Sequence, residues 1–191
     1  SFIDMCNKES GLHMQLVLNE SNAFDGFMAH YGKFSGVKNY IAIIGNKTDN
    51  LEEKCGYYGE KVVLYAQTLG LNTCWVAMTY SKVKSAFQID KGEKLCLVIS
   101  IGYGKTQGVP HKSKQKESVM KVTNTPPAWF ENGIDAALLA PTATNQQKFI
   151  FSLNGNRVSA KAGIGFYSKI DLGIVKYHFE VGAGTDNFSW N

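Results

Sequence analysis

Three short segments concentrate residue types able to hold a flat, anionic ligand. Pro110-His-Lys-Ser-Lys114 places two ammonium groups on either side of a hydroxyl, and each ammonium can meet a phosphate as a point charge. Ala140-Pro-Thr-Ala-Thr-Asn-Gln-Gln-Lys148 follows a helix that Pro141 stops. Its run of hydroxyls and amides suits the edge of a heterocycle or a ribityl chain, and reads equally well as an ordinary capped loop. Leu69-Gly-Leu-Asn-Thr-Cys-Trp-Val-Ala77 closes a helix on glycine and enters small and apolar residues. Backbone N–H and C=O groups could there approach a flat ligand unobstructed. The competing reading is a helix-to-strand turn anchored by Trp75.

Other chemistries lack their signatures. HExxH, GxSxG, the Walker loop and GxGxxG are missing. His13, His30, His111 and His178 have no metal-ligand partner at helical spacing, so each is expected to be packed or on the surface, and no metal is assigned. Cys6, Cys55, Cys74 and Cys96 lack CxxC spacing, which argues against a zinc ribbon or thioredoxin motif; reduced cytoplasmic thiols are expected.

Composition narrows the class further. The 191 residues carry 20 Lys+Arg against 16 Asp+Glu, a net charge of +4, and Arg157 is the only arginine. Dedicated phosphate or nucleic-acid binders favour the bidentate guanidinium and a more basic pI than about 8.8. The Lys-rich stretch 104–123 (Lys105, Lys112, Lys114, Lys116, Lys121 and His111 against Glu117) reads as a solvated loop or an anion site, and a nucleic-acid partner is not expected. At 44% hydrophobic and 19% charged the profile is globular. No apolar run approaches the ~18 residues of a membrane span, so no membrane partner is expected.

The elements that must position these segments follow from periodicity. Strands are expected at 13–19, 39–45 and 95–103, the last a near-continuous apolar run suited to a central strand. Strands at 148–153 and 157–160 flank Asn154-Gly155-Asn156 as a hairpin. Helices are expected at 53–69, 127–139 and 170–183, with Gly70 capping the first and Asp171 in the first turn of the third, where the helix dipole favours a negative charge. A faint repeat lays Gly59 through Gly70 on Gly173 through Gly184, as two related lobes would.

Together the segments resemble a known family. Gly56-Tyr-Tyr-Gly-Glu-Lys-Val-Val-Leu-Tyr-Ala-Gln-Thr-Leu-Gly-Leu-Asn-Thr-Cys-Trp-Val76 is similar to the signature of FMN-dependent nitroreductases, nearest to the putative TM nitroreductase branch. Pro141-Thr-Ala-Thr-Asn145-Gln-Gln147 resembles the family's Pro-Ser-x-x-Asn-x-Gln flavin segment, and Ile170-Asp-Leu-Gly-Ile174 a second copy of its Asp-x-Gly-Ile helix. The resemblance implies an α+β fold, a nitroreductase-like mixed sheet flanked by helices, with two pseudo-repeated lobes in one chain. These would be a first lobe at about 1–123 and a second at about 124–191. It implies FMN as cofactor and NAD(P)H as reductant, with a nitroaromatic, quinone or similar small-molecule acceptor reduced by a ping-pong mechanism. The alternative is a protein that binds FMN or another nucleotide without turnover.

By position, the resemblance places Pro141, Thr142, Ala143, Asn145 and Gln147 along the flavin, Val76, Ala77 and Met78 at its ring, and Lys112 and Lys114 at its phosphate. Ala77-Met78 stands where Gly-Gly or Glu-Gly is frequent in the family. Ordinary members are homodimers with flavin at the interface, so the chain is expected to be a monomer with an internal pseudo-dimer, or a homodimer. Ser1-Phe-Ile-Asp-Met-Cys6 is similar to the family's second helix. The Arg-rich start of the family is expected to precede Ser1, and the chain beginning at Ser1 is expected to bind FMN weakly or not at all.

Overall fold

An apolar run without alternation needs cover on both faces, and two such runs organise the first part of the protein. This computed structural model describes the backbone of residues 1–191 and every side chain except those of Met28 and Ala29. The chain divides into one unit of Ser1–Leu51 with Lys61–Gly108, and another of Glu52–Glu60 with Val109–Asn191.

The first unit contains α1 (Phe2–Ser10), β1 (Gln15–Val17), α2 (Phe27–Tyr31), β2 (Tyr40–Asn46), the later turns of α3 (Leu51–Thr68), β3 (Asn72–Val76) and β4 (Glu93–Gly102). The segment likened to a family helix is α1, begun by a capping box between Ser1 and Asp4. Its strands pair antiparallel in the order β1-β2-β4-β3, with the two apolar runs central. Tyr40, Ala42 and Ile44 pack on one face with Val17, Phe24, Val76 and Val98. The alternate Ile41 and Ile43, both buried, turn to the other. Gly70, at φ 76, follows the last turn of α3 as a left-handed terminator.

The second unit holds β5 (Met120–Lys121), α4 (Ala128–Ala137), β6 (Phe149–Asn154), β7 (Arg157–Ala162), α5 (Ser168–Ala183) and β8 (Ser189–Trp190). β6 and β7 form the expected hairpin, with Asn154 opposite Arg157 and Gly155 at φ 62 in the turn. The two-residue strands β5 and β8 add to its edges in parallel. Neither is long enough to leave a period-2 signature, and β5 falls inside the stretch 104–123 that reads as loop in the sequence. Phe130, Phe151 and Phe179 are fully buried, and the rings of Phe151 and Phe179 stack at 4.7 Å.

The helices of this unit meet at backbone distance. A Cβ on Gly56 of α3 would sit 2.0 Å from the Ile170 carbonyl oxygen of α5 and 3.0 Å from the Ile174 nitrogen. Reciprocally, a Cβ on Gly173 would sit 2.0 Å from the Glu53 carbonyl oxygen and 2.6 Å from the Tyr57 nitrogen. Every corresponding pair is 117 positions apart, so the contact is pseudo-symmetric. Its register corrects the sequence alignment, which laid Gly59 rather than Gly56 on Gly173; the difference of nearly one helical turn hid the true match, because a helical glycine pattern repeats at about that interval. On α4, Gly133 lies beneath the Phe179 ring, where a Cβ would come within 2.5 Å.

Gly173→Ala is expected to lower the unfolding free energy by about 3 kcal/mol, although alanine is the better helix former by about 1 kcal/mol. Gly102→Ala, with nothing within 4 Å of the added carbon, should stay within about 0.5 kcal/mol of wild type. Urea denaturation of both variants checks the pair, and an unchanged Gly173→Ala would refute the account of the crossing.

Candidate functional site

In the second unit the segments 110–114 and 140–148 interlock. The loop after α4 takes left-handed backbone at three residues other than glycine: Thr144 at φ 52, Asn145 at φ 54 and Gln147 at φ 45. Each such residue costs roughly 1–2 kcal/mol, and a dense hydrogen-bond set holds them. Gln147 is 3% exposed. Its Oε1 accepts from the Lys114 N–H at 2.9 Å, and its Nε2 donates to the Lys112 carbonyl at 2.8 Å and to Asn145 Oδ1 at 2.7 Å. Its own N–H donates to Thr142 Oγ1 at 3.0 Å. Asn145 Nδ2 donates to the same Lys112 carbonyl at 2.9 Å. Every polar atom of the buried amide is therefore used.

Asp171 grips the other end of the loop. It lies in the first turn of α5 and is 4% exposed. Its Oδ1 accepts from the Ala143 N–H at 3.0 Å, and its Oδ2 accepts from Gln146 Nε2 at 2.7 Å. Burial pushes its carboxyl pKa up, while the bonds from Gln146 and the Ala143 N–H pull part of the way back. Sequence reasoning placed Asp171 at a helix start but missed this role. Its partners are 25 and 28 residues away, and no local pattern links them.

The structure thus brings Thr142, Ala143, Asn145, Gln147, Lys112 and Lys114 into one network, with Pro141 exposed at its start. The two lysines are not equivalent. The Lys114 ammonium donates to the Gln147 carbonyl at 3.0 Å and serves the loop, whereas Lys112 contributes its carbonyl to the network and exposes its side chain. Asn145 uses one hydrogen and one lone pair inside the network and keeps one of each for a ligand. Val76, Ala77 and Met78 belong to the first unit. The Val76 side chain is committed to the apolar cluster under the sheet, Ala77 is half-buried, and Met78 is 67% exposed just past the end of edge strand β3.

The chain belongs to the family described as putative TM nitroreductase, whose model matches residues 1–183. The chain is similar to the structure of a putative nitroreductase from Thermotoga maritima, at 21% identity and a TM-score of 0.64, over 90% of this chain and 65% of that one. It therefore spans just under two thirds of that relative's length. A putative NADH dehydrogenase/NAD(P)H nitroreductase from Bacteroides thetaiotaomicron matches at 16% identity and a TM-score of 0.47, over 62% of this chain and 82% of that one. An FMN-dependent nitroreductase from Clostridium difficile matches at 18% identity and a TM-score of 0.41, over 56% and 77% respectively. No curated protein matches the chain. The likeness to the Thermotoga structure confirms the expected nitroreductase-like α+β fold. Among the described residues no helix is long and apolar enough to cross a membrane.

Gln147→Leu should cost about 2 kcal/mol, since it strands the Lys114 N–H and takes from the Lys112 carbonyl one of its two amide donors. Hydrogen exchange at the Lys114 amide should accelerate, and a protected amide in the variant would contradict the network. Asp171 titrates with a pKa raised in the folded state above its ordinary 3.8. The folded protein then binds this proton more tightly than the unfolded chain, so the contribution is complete below 3.8 and lost as pH rises through the folded value. Compared with Asp171→Asn, wild-type stability should gain as pH falls through that window; a pH-independent difference would rule this out.

Proposed function

We propose that the chain holds FMN in an oxidoreductase that uses NAD(P)H to reduce nitroaromatic, quinone or similar acceptors, the reductant leaving before the acceptor enters. Family membership supports the class of chemistry. The observation that carries the reading is the knitting of 110–114 to 140–147, which leaves an ammonium, a hydroxyl and a partly unused amide facing outward. This donor set fits a phosphorylated, polar-edged planar cofactor: Lys112, Pro141, Thr144 and Asn145 are exposed, and the buried members are satisfied within the loop.

FMN, when bound, supplies the hydride and electron chemistry. The chain's residues bind and orient. Lys112 offsets phosphate charge as a point cation. Lys114 and Gln147 act as positioning residues that fix the loop, and Asp171 fixes the Ala143 N–H. Pro141, Thr142 and Ala143 present small side chains and backbone groups along the ring system, while Asn145 offers one donor and one acceptor. No protein acid or base is assigned. The reciprocal contact of α3 and α5 favours a single chain that carries an internal pseudo-dimer.

A full-length preparation is expected to be yellow, to bleach on addition of NADH or NADPH, and to recover colour with a nitroaromatic or quinone. Lys112→Glu should weaken FMN binding at least tenfold, about 1.4 kcal/mol, in a fluorescence-quenching titration. Flavin binding without acceptor turnover would support the non-catalytic alternative. A colourless protein that ignores added FMN would sink both readings.

A further inference from the structure

Outside that loop, the first unit carries a cationic concavity. A cleft of about 480 Å³ at the end of β2 and the start of β4 is lined by Lys47, Lys82, Lys84 and Lys94 together with the apolar Phe87 and Ile89. Its volume falls within the range of small-molecule sites. Its single acid, Glu93, is turned to other work. Glu93 Oε2 lies 3.0 Å from His13 Nδ1 and accepts the Asp90 N–H at 2.8 Å. The Glu93 carboxylate is therefore shared with His13 and a backbone N–H. Lys47, Lys82 and Lys84 are exposed, so ammonium groups of like charge surround a concave surface that gains from any counter-anion.

The walls are also pinned. The Lys47 N–H donates to the Gly92 carbonyl at 3.1 Å, closing the turn before β4. Gln15 brackets the backbone of Gln88, its Nε2 donating to the Gln88 carbonyl at 2.6 Å and its Oε1 accepting the Gln88 N–H at 2.9 Å. Phe87 is half-buried against the core beneath the sheet, whereas Ile89 is 46% exposed. A cleft that is preformed, multiply cationic and apolar at its floor suits a ligand with more than one anionic group and a flat ring. A mere solvated lysine face would need neither the concavity nor the exposed isoleucine.

We propose that the cleft of Lys47, Lys82, Lys84 and Lys94 binds a small polyphosphorylated ligand with a flat ring, the chemistry of a nucleoside diphosphate. The lysines hold the phosphates, and Phe87 and Ile89 take the ring. The proposal does not rest on flavin binding at the 140–148 loop.

The test is titration of the full chain with ADP by calorimetry. ADP should bind, the affinity should fall as salt is raised, and Lys82→Glu/Lys84→Glu should weaken it at least tenfold. Lys161→Glu/Lys169→Glu, exposed lysines of the second unit, should leave it unchanged, as should Lys112→Glu. Absence of ADP binding overturns the proposal. So does binding that survives the Lys82/Lys84 reversal, or binding abolished by Lys112→Glu alone, which would place ADP at the loop.

Discussion

The contact between Gly56 of α3 and Gly173 of α5 constrains everything around it in the second unit. Each helix occupies the space where the other's Cβ would stand. Approach at that distance brings the flanking side chains within bonding reach. The Tyr57 hydroxyl donates to Glu180, Lys176 Nζ donates to Glu53 Oε1 at 2.7 Å, and His178 Nε2 lies 2.8 Å from Glu60 Oε1. Burial, then the bond to Glu180, drives the Tyr57 pKa far up, so this hydroxyl remains a donor. Glu60 is 1% exposed. A buried carboxylate is tolerable only with such a partner, and His178 is near enough only because the glycines let α5 in.

The same crossing sets the loop. Ile170 offers its carbonyl to Gly56, and the next residue, Asp171, reaches the Ala143 N–H. At the other end α4, packed through Gly133 onto Phe179, runs out into Pro141. The strained backbone at 144–147 is thus held from both sides by packed helices. Its polar side chains are spent on holding that shape, which leaves a few outward groups in fixed positions. Preorganisation of this kind lowers the ordering cost of binding.

Much of this was legible in the sequence. Apolar runs located β2 and β4 within one or two residues, and Asn154-Gly155-Asn156 marked its hairpin. Pro141 and Gly70 marked helix ends. The unreadable parts share one cause, which is information carried between distant residues. β5 and β8 exist only because β6 and β7 offer edges. Asp171 becomes a loop anchor only through partners more than twenty residues away. The two lysines of 112–114 look alike in sequence, yet Gln147 takes one and leaves the other. The cleft of Lys47, Lys82, Lys84 and Lys94 gathers three sequence neighbourhoods, none conspicuous alone.

The reciprocal crossing also bears on how such a protein can change. In a pair of identical helices related by a two-fold axis, every substitution strikes twice, and each side chain must suit its own image. Here the images differ. Glu60 faces His178, but the positions 117 removed from them are Tyr177 and Lys61; Glu53 faces Lys176, but their images are Ile170 and Gly59. The backbone keeps the two-fold plan while the side chains that pair across the crossing differ from their images. Because the two helices lie in one polypeptide and differ in sequence, either side of the crossing can specialise by single mutations without disturbing the glycines that bring them together.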